Sequence, residues 1–151
     1  MEGKKEEKIP KKLEFLIAKT PEQSEEFRAM QTTCYITGLG QPAKYVHKHF
    51  DDSVKAMGYI DGKPVCSGLY VIDKDGTAFT NMACVYKKYR GKGHILKLLD
   101  WTLEFIAKDP NVKNKEECFS EARLEMIPYW TKKRKKDFRT VEKQMGENGL
   151  E

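Results

Sequence analysis

The sequence predicts an α/β fold of the α+β kind: a mostly antiparallel, mixed central sheet of six to seven strands flanked by about four helices. Three observations carry this. Three strand-like stretches follow one another through the middle of the chain, "VKAMGYI" (54–60), "PVCSGLYVI" (64–72) and "TAFTNMACVY" (77–86), with turns between them too short for crossovers. A long amphipathic helical stretch comes directly after the third. The 151 residues, 39% hydrophobic and 34% charged, are of one-domain size, able to bury roughly 70% of the unfolded surface.

The elements follow in the order β-α-α-β-β-β-α-β-α-β. Residues 1–12 ("MEGKKEEKIPKK") have almost no apolar content and read as a disordered basic tail, leaving 13–151 as a single domain. "LEFLIA" (13–18) is the first strand. Thr20 then caps a helix whose first position is Pro21, and Phe27, Met30, Gln31 and Cys34 give it one apolar side. "GLGQP" (38–42) breaks that helix, and a second covers Pro42 to Phe50. Asp61-Gly62 and "DKDG" (73–76) are the turns of the meander. In the helix after it, Ile95, Leu98, Leu99, Thr102, Leu103 and Ile106 form one stripe, opposite Lys97, Asp100, Glu104 and Lys108. Asp109-Pro110 ends it. A strand at "CFSEARL" (118–124), a helix near 127–136 and a strand at "FRTVEKQ" (138–144) complete the chain.

Charge and cysteines exclude several classes. The net charge of +5 is concentrated in the N-terminal tail and in Lys132–Lys136 ("KKRKK"); outside these two stretches acidic residues slightly outnumber basic ones. A uniformly nucleic-acid-binding surface is not implied, and nucleic acid is not expected as a partner. No apolar run approaches the ~20 residues of a membrane span, and the charged N-terminus has no signal-peptide apolar stretch. The cysteines Cys34, Cys66, Cys84 and Cys118 lack metal-ligand spacing and read as reduced and mostly structural, so no metal is expected and the location is cytoplasmic. The 132–136 run admits three readings: a nuclear-import or nucleic-acid patch, an acidic-substrate patch, or a solvated helix face.

The stretch "VYKKYRGKGHI" (85–95) joins an apolar strand to a helix with two glycines and four cations, Lys87, Lys88, Arg90 and Lys92. Glycines let backbone N–H groups converge on an anion, and a helix N-terminus adds partial positive charge. It is not a P-loop, which needs GxxxxGK[ST], nor a dinucleotide fingerprint, which follows the first strand of a parallel βαβ unit.

"NMACVYKKYRGKGHILKLLDW" (81–101) resembles motif A of the GNAT acetyltransferase superfamily: an apolar strand, the turn [QR]xxGx[GA] and an amphipathic helix. The turn reads Arg90-Gly91-Lys92-Gly93-His94-Ile95, and the element order agrees with that family from about residue 13 to 144. The resemblance implies a GNAT-like fold binding acetyl-CoA as co-substrate. Backbone amides of Arg90, Gly91, Lys92, Gly93, His94, Ile95 and Leu96 would grip its pyrophosphate, and Ala83, Cys84 and Val85 would pair with the pantetheine arm as an added strand does. Ile95 departs from the family's small residue; its place on the apolar stripe turns it towards the core.

Acetyl transfer to an amine needs a base for an ammonium of pKa roughly 10, an oxyanion site and an acid for the leaving thiolate. The GNAT branch that acetylates protein N-terminal amines has the pattern LE[VA]RxSNxxAxxLYxxxGF. Laid on "SEARLEMIPYWTKKRKKDF" (120–138), Glu121, Arg123 and Phe138 fall in register, and Glu121 matches the branch's general base. Its asparagine becomes Met126, and its acid tyrosine becomes Lys133. Tyr129, one helical turn earlier, is the replacement candidate for the acid. His47 and His49 are expected to face solvent near the acceptor wall, and Trp101 and Trp130 to pack. The implied activity is N-acetyl transfer by direct attack in a ternary complex, with CoA and an amine acceptor, small molecule or protein, as partners. A homodimer is left open. The alternative is a GNAT-fold module that binds CoA with weakened or absent chemistry.

Overall fold

The computed structural model describes residues 12–120. The expected helix near 127–136 and strand at 138–144, Glu121, Tyr129 and the 132–136 run lie outside the described residues. Within them five strands form one sheet in the order β1-β2-β3-β4-β5: Leu13–Ile17, Val54–Ile60, Lys63–Ile72, Ala78–Val85 and Cys118–Ser120. The first four pair antiparallel, and β5 runs parallel to β4. The sheet is mixed and mostly antiparallel as expected. It has five strands among the described residues where six to seven were expected, because the last expected strand lies beyond Ser120.

Local chemistry accounts for most boundaries. Helix α1 (Pro21–Gln31) begins with a capping box: Thr20 Oγ1 accepts from the Gln23 N–H at 3.0 Å, and Gln23 Oε1 accepts from the Thr20 N–H at 3.2 Å. The helix then continues as a π-helical turn over Thr32–Thr37, where the Gly38 N–H reaches back to Thr33 O at 3.0 Å. Helical periodicity alone gives no sign of this extra residue per turn. Gly38 fits because a Cβ there would stand 2.7 Å from Cys34 O. The second helix is shorter than expected: α2 is Ala43–Val46, and the chain continues in i→i−3 turns through Phe50. His47 and His49 hold those turns instead of facing open solvent. Both are half-buried, His47 against Thr32 Oγ1 at 3.1 Å and His49 against the Asp52 carboxylate at 3.0 Å.

The meander turns are as the sequence predicts. Asp61 and Gly62 take φ of 52° and 75°, the mirror-image geometry that suits a two-residue hairpin. In the next turn Asp73 Oδ1 accepts from the Asp75 and Thr77 N–H groups at 2.9 and 3.0 Å. Gly76 closes it at φ +80°, and a Cβ there would lie 2.5 Å from Lys113 Cβ. Its carbonyl also accepts from the Lys113 and Asn114 N–H groups, tying the turn to the segment that leads into β5. Gly76→Ala therefore loses about 2–3 kcal/mol of stability, from left-handed strain plus displacement of Lys113. A denaturant midpoint unchanged from wild type would contradict this.

The sheet is covered on both faces. Helix α1 and the π-helical turn bury Phe27, Met30 and Cys34 against Met57, Tyr59, Leu69, Met82 and Cys84. Helix α3 (His94–Lys108) covers the other face, with Leu98 among Ala56, Val65 and Cys66, and Ile106 among Tyr70, Ala78 and Val112. Trp101 is a packing residue, its ring 5.7 Å from Phe15 and 5.4 Å from Phe105. No helix of the described residues is long and apolar enough to cross a membrane.

Candidate functional site

The site is built around an irregularity in β4. Ser67 pairs with Cys84 and Leu69 with Asn81, so Gly68 alone opposes both Met82 and Ala83. One extra residue in β4 is a β-bulge, which bends the strand and removes local pairing. Met82 adopts φ +60°, uncommon for a side chain of its size. The Asn81 side chain accepts from the Met82 N–H at 2.7 Å, supplying the partner the ladder no longer gives. The helical layer holds the bulge from its other side. Gln31, fully buried, donates from Nε2 to Met82 O at 2.8 Å, and the Tyr35 hydroxyl donates to Ala83 O.

Beside the bulge lies a cleft of about 560 Å³. Ala83, Cys84 and Val85 of β4 line it, together with Cys34, Tyr35, Leu39 and Tyr45 from the α1–α2 region and Ile95, Leu98, Leu99 and Thr102 from α3. Arg90 is the single charged side chain among its described lining residues. Leu39 and Tyr45 are the large exposed apolar side chains at its rim. Strand β5 pairs with β4 only over Ala78–Thr80. The bulged half of β4 therefore has no strand partner on that side among the described residues, and the Ala83 and Val85 carbonyls accept from the Tyr35 and Arg90 side chains instead. Ile95 lines this cleft, half-buried, instead of entering the core as expected, because the first turn of α3 stands at the end of β4 where the cleft opens.

The glycine turn stands at that same end. After a 3-10 turn at Lys87–Tyr89, Gly91 and Gly93 take φ of +83° and +78° around Lys92, and α3 starts without a side-chain cap. A Cβ at either glycine would meet nothing within 4 Å. Glycine is thus required by backbone angle and not by crowding. The N–H groups at the start of the fifteen-residue helix have no side-chain cap, and Lys87, Lys88, Lys92 and Lys97 nearby are exposed, a combination of donors and cations that can hold an anion. Arg90 turns back and donates from Nε to Val85 O at 3.0 Å, so turn and strand end are tied together. His94 packs edge-on against Tyr89, and neither ring nitrogen has a partner among the described residues. Burial, with Lys97 and Lys92 adding to it, lowers its pKa and favours the neutral ring.

Of the residues expected from the sequence, Ala83, Cys84, Val85, Arg90 and Ile95 line the cleft, and Gly91, Lys92, Gly93 and His94 form the turn at its end. Leu96 is half-buried in the first turn of α3 and does not line the cleft. Glu121 and Tyr129 lie outside the described residues. The supports Gln31 and Tyr35 were not anticipated. The one available signal for Gln31 was an amide on an otherwise apolar helix stripe.

The fold is GNAT-like, shared with solved N-acetyltransferases. An acyl-CoA N-acyltransferase from Pseudomonas aeruginosa superposes with a TM-score of 0.68 at 14% identity, over 81% of this chain and 85% of that one. A ribosomal-protein-alanine N-acetyltransferase from Brucella melitensis gives 0.65 at 14% identity, over 88% and 96%. The aminoglycoside N-acetyltransferase AAC(6')-Iy, solved in complex with CoA, gives 0.63 at 14% identity, over 90% and 95%. At these identities the likeness is one of fold. No protein-family model and no curated protein matches the sequence.

Proposed function

We propose that the protein is an N-acetyltransferase that moves the acetyl group of acetyl-CoA to a primary amine, of a small molecule or a protein, in a ternary complex. The observation that carries this is the meeting, at one cleft, of a bulged strand that has no strand partner beyond Thr80 among the described residues with an uncapped glycine turn on α3. The edge at Ala83–Val85 suits the amide-bearing pantetheine arm, and the turn at Arg90–Leu96 suits a pyrophosphate. A fold shared with a CoA-complexed acetyltransferase supports the same reading.

In the reaction the amine nitrogen attacks the thioester carbonyl, the oxygen becomes an oxyanion, and the C–S bond breaks to release thiolate. The low-dielectric cleft and the N–H groups near the bulge favour that oxyanion. Glu121 takes the proton from the ammonium, and Tyr129 returns one to the thiolate, with Lys133 as the second donor. A thiolate is a good leaving group, so loss of the acid alone slows the transfer without abolishing it.

The test is free-thiol release from acetyl-CoA across a panel of amines. Thermal stabilisation by CoA without turnover on any amine would favour the alternative, a CoA-binding module, which Met126 and Lys133 at the family's asparagine and tyrosine positions favour. Glu121→Gln lowers the rate about 10²-fold or more at neutral pH and progressively less as the pH rises through roughly 10, where the amine loses its proton to solvent. An equal loss at both pH values would remove Glu121 from the role of base.

A further inference from the structure

The two large apolar side chains that stand exposed among the described residues, Leu39 at 45% and Tyr45 at 39%, both lie on the rim of the cleft. One exposed leucine or tyrosine is ordinary, whereas two at the mouth of a single cavity mark a place that takes up apolar ligand surface. Their place along the cleft follows from the strand. The glycine turn comes after Val85, so the end suited to an anion lies beyond the C-terminal end of β4. Tyr45 shares a recess with Leu69, Asn81 and Met82, at and before the bulge and away from that turn. An acetyl-CoA with its pyrophosphate at the turn and its arm along Ala83–Val85 brings the thioester towards the bulge. The wall of Leu39 and Tyr45 is then left to the amine.

We propose that the acceptor is a small primary amine bearing one positive charge and an aromatic group, an arylalkylamine, whose ring is held by Leu39 and Tyr45. This rests on the acetyl-transfer reading of the same cleft. The charges agree with it. Arg90 is the single charged side chain among the described lining residues, and its guanidinium repels further cations. A polyamine or an aminoglycoside brings several ammonium groups, each costly to desolvate unless an acceptor such as a carboxylate meets it. The described lining offers no carboxylate. An arylalkylamine brings one ammonium, which gives up its proton before attack. Its ring gains by leaving water for the leucine surface and for the Tyr45 ring, which takes an aromatic partner stacked or edge-on. The neutral amine nitrogen forms the new C–N bond as the thioester C–S bond breaks. One amine proton goes to the base and the thiolate is protonated, giving CoA and a neutral amide.

Thiol release by the full-length protein at saturating acetyl-CoA compares phenethylamine with propylamine and with spermidine. The kcat/KM for phenethylamine should be roughly tenfold or more above that for either. Leu39→Ala and Tyr45→Ala should each lower the phenethylamine-to-propylamine ratio about tenfold, through a higher KM for the aromatic amine with kcat little changed. A partly unfolded variant lowers both rates alike, so the ratio stays readable. Propylamine or spermidine used as well as phenethylamine, or a ratio unchanged in both variants, would overturn the assignment. Saturation-transfer NMR of phenethylamine on the protein with CoA present reads the same contact without turnover. Ring saturation that weakens in Leu39→Ala and Tyr45→Ala supports the amine class even where no amine releases thiol, and its absence from the unmodified protein overturns it. Failure of thiol release with every amine, with ring saturation intact, sinks the acetyl-transfer reading alone.

Discussion

Replacing Gly91 and Gly93 together with alanine weakens CoA binding by about one to two orders of magnitude while leaving the fold intact. Both residues are left-handed, at φ of +83° and +78°, and neither has a neighbour within 4 Å of an added Cβ. An alanine therefore fits the space but resists the angle, at about 1–2 kcal/mol per residue. In the free protein the exposed turn relaxes to avoid that strain. Binding a pyrophosphate through the turn's N–H groups requires the strained form again, so the strain appears in affinity, where each ~1.4 kcal/mol is a factor of ten. Isothermal titration with CoA reads the loss directly. The thermal stabilisation given by a fixed CoA concentration should shrink in parallel. Unchanged affinity in the double variant would detach the turn from the pyrophosphate and leave the amphipathic helix as an ordinary packing element.

Gln31→Leu is the second large effect, expected in both stability and turnover. The Gln31 side chain is fully buried and donates to Met82 O at 2.8 Å and to Ser67 Oγ at 3.2 Å. Leucine has similar volume but no donor, so a buried carbonyl loses its partner, at about 1–3 kcal/mol. That carbonyl belongs to the residue that makes the bulge, held at φ +60°. Without the amide, Met82 returns more readily to extended backbone and the register of Ala83–Val85 against β3 shifts. Turnover should fall at least tenfold, while CoA affinity, which the proposed function assigns largely to the glycine turn, should fall less. A stability loss with kcat unchanged would make Gln31 a packing residue and nothing more.

Where the fold was legible, the determinants lie close together in the chain. The Thr20 cap with Pro21, the Asp61-Gly62 hairpin and the stripe from Ile95 to Ile106 each rest on residues close together in the chain. The glycine turn belongs with them, since two glycines, a helix start and flanking lysines are all local. The second helix was read too long because the chain continues beyond Val46 in i→i−3 turns and His47 is held by Thr32, fifteen positions away, a partner that helical spacing does not reveal. Ile95 was read as core from its stripe, yet the first turn of α3 opens on the cleft.

The amino-acid order alone therefore established the meander and the strand–turn–helix unit, because short-range backbone preferences decide them. Tertiary structure decided the shape of the cleft wall. The bulge at Met82 is held by Gln31, 51 positions earlier, and Cys34 meets Val85 across the same separation of 51. An extra residue in one strand changes no periodicity that a sequence displays. It becomes stable only when a buried donor from another layer satisfies the carbonyl it exposes, and that pairing exists once the helix and sheet have packed.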